Sequence, residues 1–177
     1  MQSDSDIKPA ISPRADRNPS DDLVVDAIPG KAVVLCLGNR YLRDDGVGIM
    51  VAEALKGSLG RDVLVVESRT IDLSLVSLYE GASKVIVVDA MESGATPGEV
   101  SRCVLVPNGK TIEGLAGSHA MQLHEIFDVA RQTGLLKCAV IIVGVEPKDC
   151  GIGEGLTPEV KEAIPRVVAE VRASLQA

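Results

Sequence analysis

The sequence predicts a single-domain, three-layer α/β sandwich: a mostly parallel five-stranded sheet with helices on both faces. Three observations predict it. Five short runs rich in Val and Ile are continuously apolar rather than alternating, as strands buried on both faces are. Segments with apolar residues at helical spacing fall between them, so the domain opens β-α-β-α-β, an order that right-handed crossovers fold into a parallel sheet. The chain has 177 residues, 46% of them hydrophobic, which suits one domain with a full-sized core.

Taken in order, residues 1–30, "MQSDSDIKPAISPRADRNPSDDLVVDAIPG", hold four of the nine prolines and many Ser and Asp. With no periodicity before Leu23, they read as a flexible N-terminal extension, which leaves 31–177 as the α/β domain. The first strand is 32–38, "AVVLCLG". Val47, Met50, Val51, Ala54 and Leu55 then repeat at i, i+3, i+4, i+7 and i+8, and Gly57 stops that helix. A second strand covers 62–67, "DVLVVE", and a short helix runs from Leu73 to Tyr79, closed by Gly81. The third strand is 84–90, "KVIVVDA". The fourth, 100–106, follows the turn "ESGATPGE" with no helix between, and is therefore expected to run antiparallel at or near an edge. Leu123, Ile126, Phe127 and Ala130 mark a helix closed by Gly134, and the fifth strand is 138–145, "CAVIIVGV". The last helix starts with Thr157 as N-cap and Pro158 at the first position and runs to about Leu175. Pro165 is expected to kink or restart it.

Composition excludes several classes. A formal net charge of −7 with only 2% aromatic residues opposes a general nucleic-acid binder, which needs positive charge and stacking surfaces. No run approaches the ~18 apolar residues of a membrane span, and with no basic start followed by an apolar run a secretory signal is not expected. The four cysteines, Cys36, Cys103, Cys138 and Cys150, form no C-x-x-C. The first three lie in apolar runs as small hydrophobes, and the pattern suits a cytoplasmic protein. A monomer is the expected state.

In an open α/β sheet, ligands bind outside the carboxyl ends of the strands. The first strand leads into Asp44 and Asp45, the second ends in Glu67, and the third ends in Asp89. His119, in "GSHAMQLHEIF", sits just before a helix; the only other histidine is His124. Carboxylates with an imidazole make an O/O/N ligand set suited to a divalent transition ion with open positions. Each residue also has a plainer reading. Asp44 or Asp45 can cap the helix starting near Gly46, Asp89 can hold loop amides, and Glu67 can be solvated. His119 can be a helix-start residue, His124 a surface residue, and Asp72 the cap of the Leu73 helix. The dinucleotide fingerprint, the phosphate-binding loop and the serine nucleophile elbow are all absent.

The segments "LCLGNRYLRDDGVG", "VIVVDAM", "SHAMQLHEI" and "VGVEP…GLTPEV" occur in an order that resembles the hydrogenase maturation proteases, over about residues 31–176. These endopeptidases remove a C-terminal extension from the large subunit of nickel-iron hydrogenases. The resemblance implies that the chain acts on such a precursor after nickel insertion, recognising the bound nickel, so that the metal arrives with the substrate. It assigns Asp45 a metal-binding and catalytic place and His119 a ligand place. The middle ligand falls on Glu67, with Thr70 at the family's Thr position. Here "ESRT" replaces an Asp followed by a Gly-rich turn, and Asp72 is the alternative. Asn39, Asp44 and Asp89 are left to shape the loops around the ligands. The unusual "ESRT" also motivates a second reading, a non-catalytic maturation chaperone or tail-binding subunit of the same fold.

Overall fold

The computed structural model describes residues 30–77, 79–105 and 118–177, with the side chains of residues 118–122 left out. The expected extension, residues 1–30, lies outside the described residues except for Gly30. The strands are β1 (Ala32–Leu37), β2 (Val63–Ser68), β3 (Lys84–Ala90), β4 (Val100–Leu105) and β5 (Ala139–Val145). They form one sheet in the order β2-β1-β3-β5-β4. Three pairings are parallel, and β4 runs antiparallel to β5 at the edge, where the Gly/Pro turn before it leaves no room for a crossover. The helices are α1 (Val47–Leu55), α2 (Leu73–Ser77), α3 (Ser118–Gln132) and α4 (Pro158–Gln176).

Alternate strand residues separate into two cores. Val33, Leu35, Val85, Val87, Val140 and Ile142 pack with Leu123, Phe127 and Ala130 of α3 and Val76 of α2. Val34, Cys36, Ile86, Val88, Ile141 and Val143 pack on the opposite face with Val47, Val51 and Leu55 of α1 and Val160, Val167 and Val171 of α4. Burial on both faces explains the continuous Val and Ile runs, because neither side of a central strand meets water.

Of the two expected outcomes, a restart at Pro165 does not occur: one helix runs from Pro158 to Gln176. Val160, Ala163, Val167 and Val171, all fully buried, form a stripe along the sheet on both sides of the proline. Pro165 itself is exposed, so the hydrogen bond it cannot make is lost on the solvent side. Burial of the stripe outweighs the ~3 kcal/mol that an interior proline costs.

The topology sends every helix N-terminus to one end. α1, α2 and α4 each follow a strand and start beyond its carboxyl end. α3 precedes β5, so it runs down toward the start of that strand. Arg131, near the end of α3, donates to the Leu105 carbonyl, at the level of Val140 near the start of β5. The first turn of α3 therefore lies at the same rim as the carboxyl ends of the parallel strands.

α1 lies unusually close to the sheet. A Cβ on Gly48 would meet the Leu37 carbonyl oxygen at 2.0 Å and the Val88 carbonyl oxygen at 2.8 Å. Both obstacles are strand backbone and cannot rotate away. Gly48→Ala is expected to destabilise the fold by about 2–3 kcal/mol through overpacking, read as a lower midpoint in urea unfolding; an unchanged midpoint would show that α1 can lift off freely.

Candidate active site at the carboxyl rim

Beyond β1 the chain turns at Gly38 and enters a 3-10 turn, Arg43–Gly46, that leads straight into α1. Gly38 has φ 140°, and a Cβ there would lie 2.0 Å from the Asp45 carbonyl oxygen. Only glycine lets the acidic turn fold back this tightly onto the strand end. The Gly38 N–H also donates to the Ser68 carbonyl at 3.0 Å, so the β1 turn and the end of β2 are held side by side.

The two adjacent acids have different environments, and neither caps α1. Its N-cap is Gly46, with no side-chain cap bond. Asp44 is completely buried. Its carboxylate accepts the N–H groups of Lys148 (2.9 Å), Asp149 (3.0 Å) and Thr157 (2.7 Å) and the Thr157 hydroxyl (2.9 Å). It thus joins the loop after β1 to the loop after β5, at the N-terminus of α4. This also diverts the expected cap of α4: Thr157 occupies the N-cap position but makes no cap bond, because its hydroxyl goes to Asp44. Burial alone would raise the Asp44 carboxyl, but the donors of Thr157, Lys148 and Asp149 outweigh it and hold the group below the usual carboxylate range.

Asp45 is half-buried. Its Oδ2 accepts the Asn39 N–H at 2.7 Å, and the Asn39 side chain in turn accepts the Tyr41 N–H at 3.1 Å. Among the described residues, the second Asp45 oxygen takes no hydrogen bond. Glu67 is exposed at the end of β2 and stands opposite Cys36, which places it on the α1 side of the sheet together with the acidic turn. Its oxygens lie 3.7 Å from Arg40 Nη2 and 3.4 Å from Lys56 Nζ. Exposed pairs of this kind are worth about 0–1 kcal/mol, so they occupy Glu67 without locking it.

Asp72 is engaged locally. Its Oδ1 accepts the Leu75 N–H at 2.8 Å, capping α2. Asp89, 5% exposed, ends β3 on the α2/α3 side, and its Oδ1 accepts the Ala90 N–H at 2.9 Å. His124 lies one turn from Asp128 on α3, with Nδ1 3.4 Å from Oδ2. His119 is the second residue of α3, and its side chain lies outside the described residues. Among the described residues, no three His, Cys, Asp or Glu side chains form a metal-binding group. The strand order β2-β1-β3 sets the ends that carry Glu67, Asp45 and Asp89 next to one another, and α3 delivers the His119 backbone to the same rim from the other face.

One site-shaping residue was missed in the sequence. Glu146, 8% exposed, follows β5 and accepts the Ser93 N–H (2.8 Å), the Ser93 hydroxyl (2.6 Å) and the Gly94 N–H (3.0 Å). These bonds shape the loop after β3, and they hold the Glu146 carboxyl below its usual range although burial alone would raise it. The rule that pointed to Asp45, Glu67 and Asp89, an acid at the carboxyl end of a strand, applies equally to Glu146 in "VGVEP".

The cysteines are poor nucleophiles. Burial, with Glu67 adding to it, pushes Cys36 up to about 12. Burial and the carboxylates of Asp45, Glu92 and Asp44 push Cys150 up to about 11. Both are neutral thiols at physiological pH.

Asp44 and Glu146 ionise more readily folded than unfolded. In acid the unfolded chain therefore binds more protons, and their stabilisation, fully present above the ordinary carboxylate range, is lost as pH falls through the folded values. The melting temperature is expected to fall steeply below about pH 4, and less steeply in Asp44→Asn. That variant, whose amide turns an N–H toward buried donors, should lose about 3 kcal/mol at neutral pH, read by urea unfolding. An Asp44→Asn protein of wild-type stability would contradict the clamp.

Comparison with known proteins gives this rim a context. A profile described as hydrogenase maturation protease matches residues 49–174. The hydrogenase 3 maturation protease of Escherichia coli is 26% identical over 137 residues, covering 76% of this chain and 85% of the relative. The coenzyme F420 hydrogenase subunit delta of Methanothermobacter thermautotrophicus is 30% identical over 148 residues, covering 77% and 89%. Among solved structures, the hydrogenase maturating endopeptidase HybD from Escherichia coli matches with a TM-score of 0.70 at 27% identity, covering 82% of this chain and 92% of that one.

Proposed function

The chain belongs to the hydrogenase maturation protease family, and from that premise we propose that it removes the C-terminal extension of a nickel-iron hydrogenase large-subunit precursor after nickel insertion, recognising the nickel that the precursor carries. The observation that carries the reading is the acidic turn at the β1 end. One acid, Asp44, is consumed by four hydrogen bonds. The other, Asp45, is half-buried, held by one N–H, and set beside the strand end that carries Glu67.

Asp45 and Glu67 supply hard oxygens and His119 a borderline nitrogen, an incomplete set that substrate groups would complete. Bound there, nickel would act as a Lewis acid on the peptide carbonyl or on a water. Asp45, with one oxygen unclaimed among the described residues, is positioned to ligate or to accept a proton. Glu67 is the better middle ligand, because Asp72 is spent on the α2 cap. A ligand at Glu67 displaces only the exposed Arg40 and Lys56 pairs. The neutral thiols of Cys36 and Cys150 favour this route over a cysteine nucleophile. No helix among the described residues is long and apolar enough to cross a membrane.

A second reading has one observation of its own. The 30% identical relative is named as a hydrogenase subunit, which fits a non-catalytic chaperone or tail-binding role. The precursor's mass after incubation with nickel and the purified protein separates the two: loss of the extension supports the endopeptidase, and a stable complex of unchanged mass supports the alternative.

Asp45→Asn and His119→Ala are each expected to slow processing of nickel-loaded precursor by about a hundredfold or more with unchanged melting temperature. Glu67→Gln should be impaired, and Asp72→Ala, which removes the acceptor for the Leu75 N–H, should process normally while α2 frays. Wild-type processing by both Asp45→Asn and His119→Ala would sink the assignment.

A further inference from the structure

The two most exposed large apolar residues among the described ones are Ile152, 91% exposed, and Tyr41, 60% exposed. They come from loops far apart in sequence, and backbone bonds stitch those loops together. The Gly153 N–H donates to the Tyr41 carbonyl at 2.9 Å, and the Arg43 N–H donates to the Gly153 carbonyl at 2.9 Å. Leu42 and Gly153 form a parallel bridge. Residues in register across a parallel pairing lie on the same side of it. Tyr41 and Ile152 each precede a bridging residue by one, so the bridge sets their backbones side by side.

Single exposed apolar residues are ordinary. This pair is set apart by its support and its place. Beneath it, the Asp44 carboxylate ties the two loops, Arg43 pairs with Asp149 at 3.3 Å, and Asp149 accepts the Gly151 N–H at 2.8 Å. Among the described residues, Arg43 is the one non-glycine residue with positive φ, 47°, a conformation retained only where surroundings impose it. The pair is therefore presented on a braced frame. The same frame carries the candidate acid: the Asp45 N–H donates to the Leu42 carbonyl at 3.1 Å.

Resting on the processing reading above, we propose that Tyr41 and Ile152 form a substrate seat that receives an apolar side chain of the precursor's C-terminal region, flanking the bond to be cut. A peptide laid across Asp45 in extended form advances about 3.3 Å per residue, so the seat is reached within a few residues of the acid. The occupant is apolar rather than anionic, because the nearby cations are already matched: Arg40 with Glu53 and Glu67, Arg43 with Asp149, and Lys148 with Glu159. The seat sets specificity, and Asp45 does the chemistry.

The test uses the full chain and nickel-loaded precursor, with Tyr41→Ser, Ile152→Ser, the double variant, and Val129→Ser as control. Val129 is an exposed apolar residue on α3, outside the site. The double variant should raise KM for processing about tenfold, with kcat within about twofold and an unchanged melting temperature; Val129→Ser and the conservative Ile152→Leu should match wild type. In an Asp45→Asn background, calorimetry with the same precursor should show Kd weakened about tenfold by the double substitution. Unchanged KM and Kd in the double variant overturn the seat and leave the endopeptidase standing. A wild-type protein that binds without cutting, and whose binding the double substitution weakens, keeps the seat and removes the processing reading. A wild-type protein that neither cuts nor binds the precursor removes both.

Discussion

The rim is organised around one buried carboxylate. Asp44 is completely buried yet stays ionised, because three backbone N–H groups and one hydroxyl converge on it. A charge in that position is costly unless every lone pair has a partner. The arrangement succeeds because the loop after β5 and the first turn of α4 both present unsatisfied donors there. Since the partners come from residues 148–157 and the acid from the turn after β1, the same bonds that solvate Asp44 decide how those two loops meet.

From that clamp the geometry extends outward. Gly38 lets the acidic turn press against the end of β1, and its N–H reaches the end of β2. Asp45 is left at the surface of the clamp with one oxygen anchored, close to the strand end that carries Glu67. Glu146 does for the loop after β3 what Asp44 does for the loops after β1 and β5. Two buried carboxylates thus hold three rim loops, and between them stand the half-buried Asp45 and the exposed Glu67. A rigid frame with a few accessible polar groups suits the proposal that the metal arrives with the substrate, because the positions would have to exist before the ion does.

The charges at the rim also sort by role. Glu67 shares Arg40 and Lys56 in exposed pairs that a dication can displace at little expense. Asp72 is withdrawn into a helix cap. Side chains of the same type, a few residues apart, thereby acquire different availability from the hydrogen bonds offered to them, rather than from their own chemistry.

The sequence by itself determined the sheet, the order of the helices and the antiparallel edge strand, because these follow from local periodicity, turn residues and the handedness of crossovers. It also named Asp45, Glu67 and Asp89 at the strand ends, since an α/β sheet offers its ligands one edge, though not Glu146. Only the tertiary structure decided which of two adjacent aspartates is buried, since the donors for Asp44 come from residues more than a hundred positions away. It likewise took Thr157 away from its cap and kept α4 whole through Pro165. It paired Tyr41 with Ile152, which no local pattern connects. In each case the deciding energy is a contact between distant segments, and a pattern read along the chain holds no information about which segments will meet.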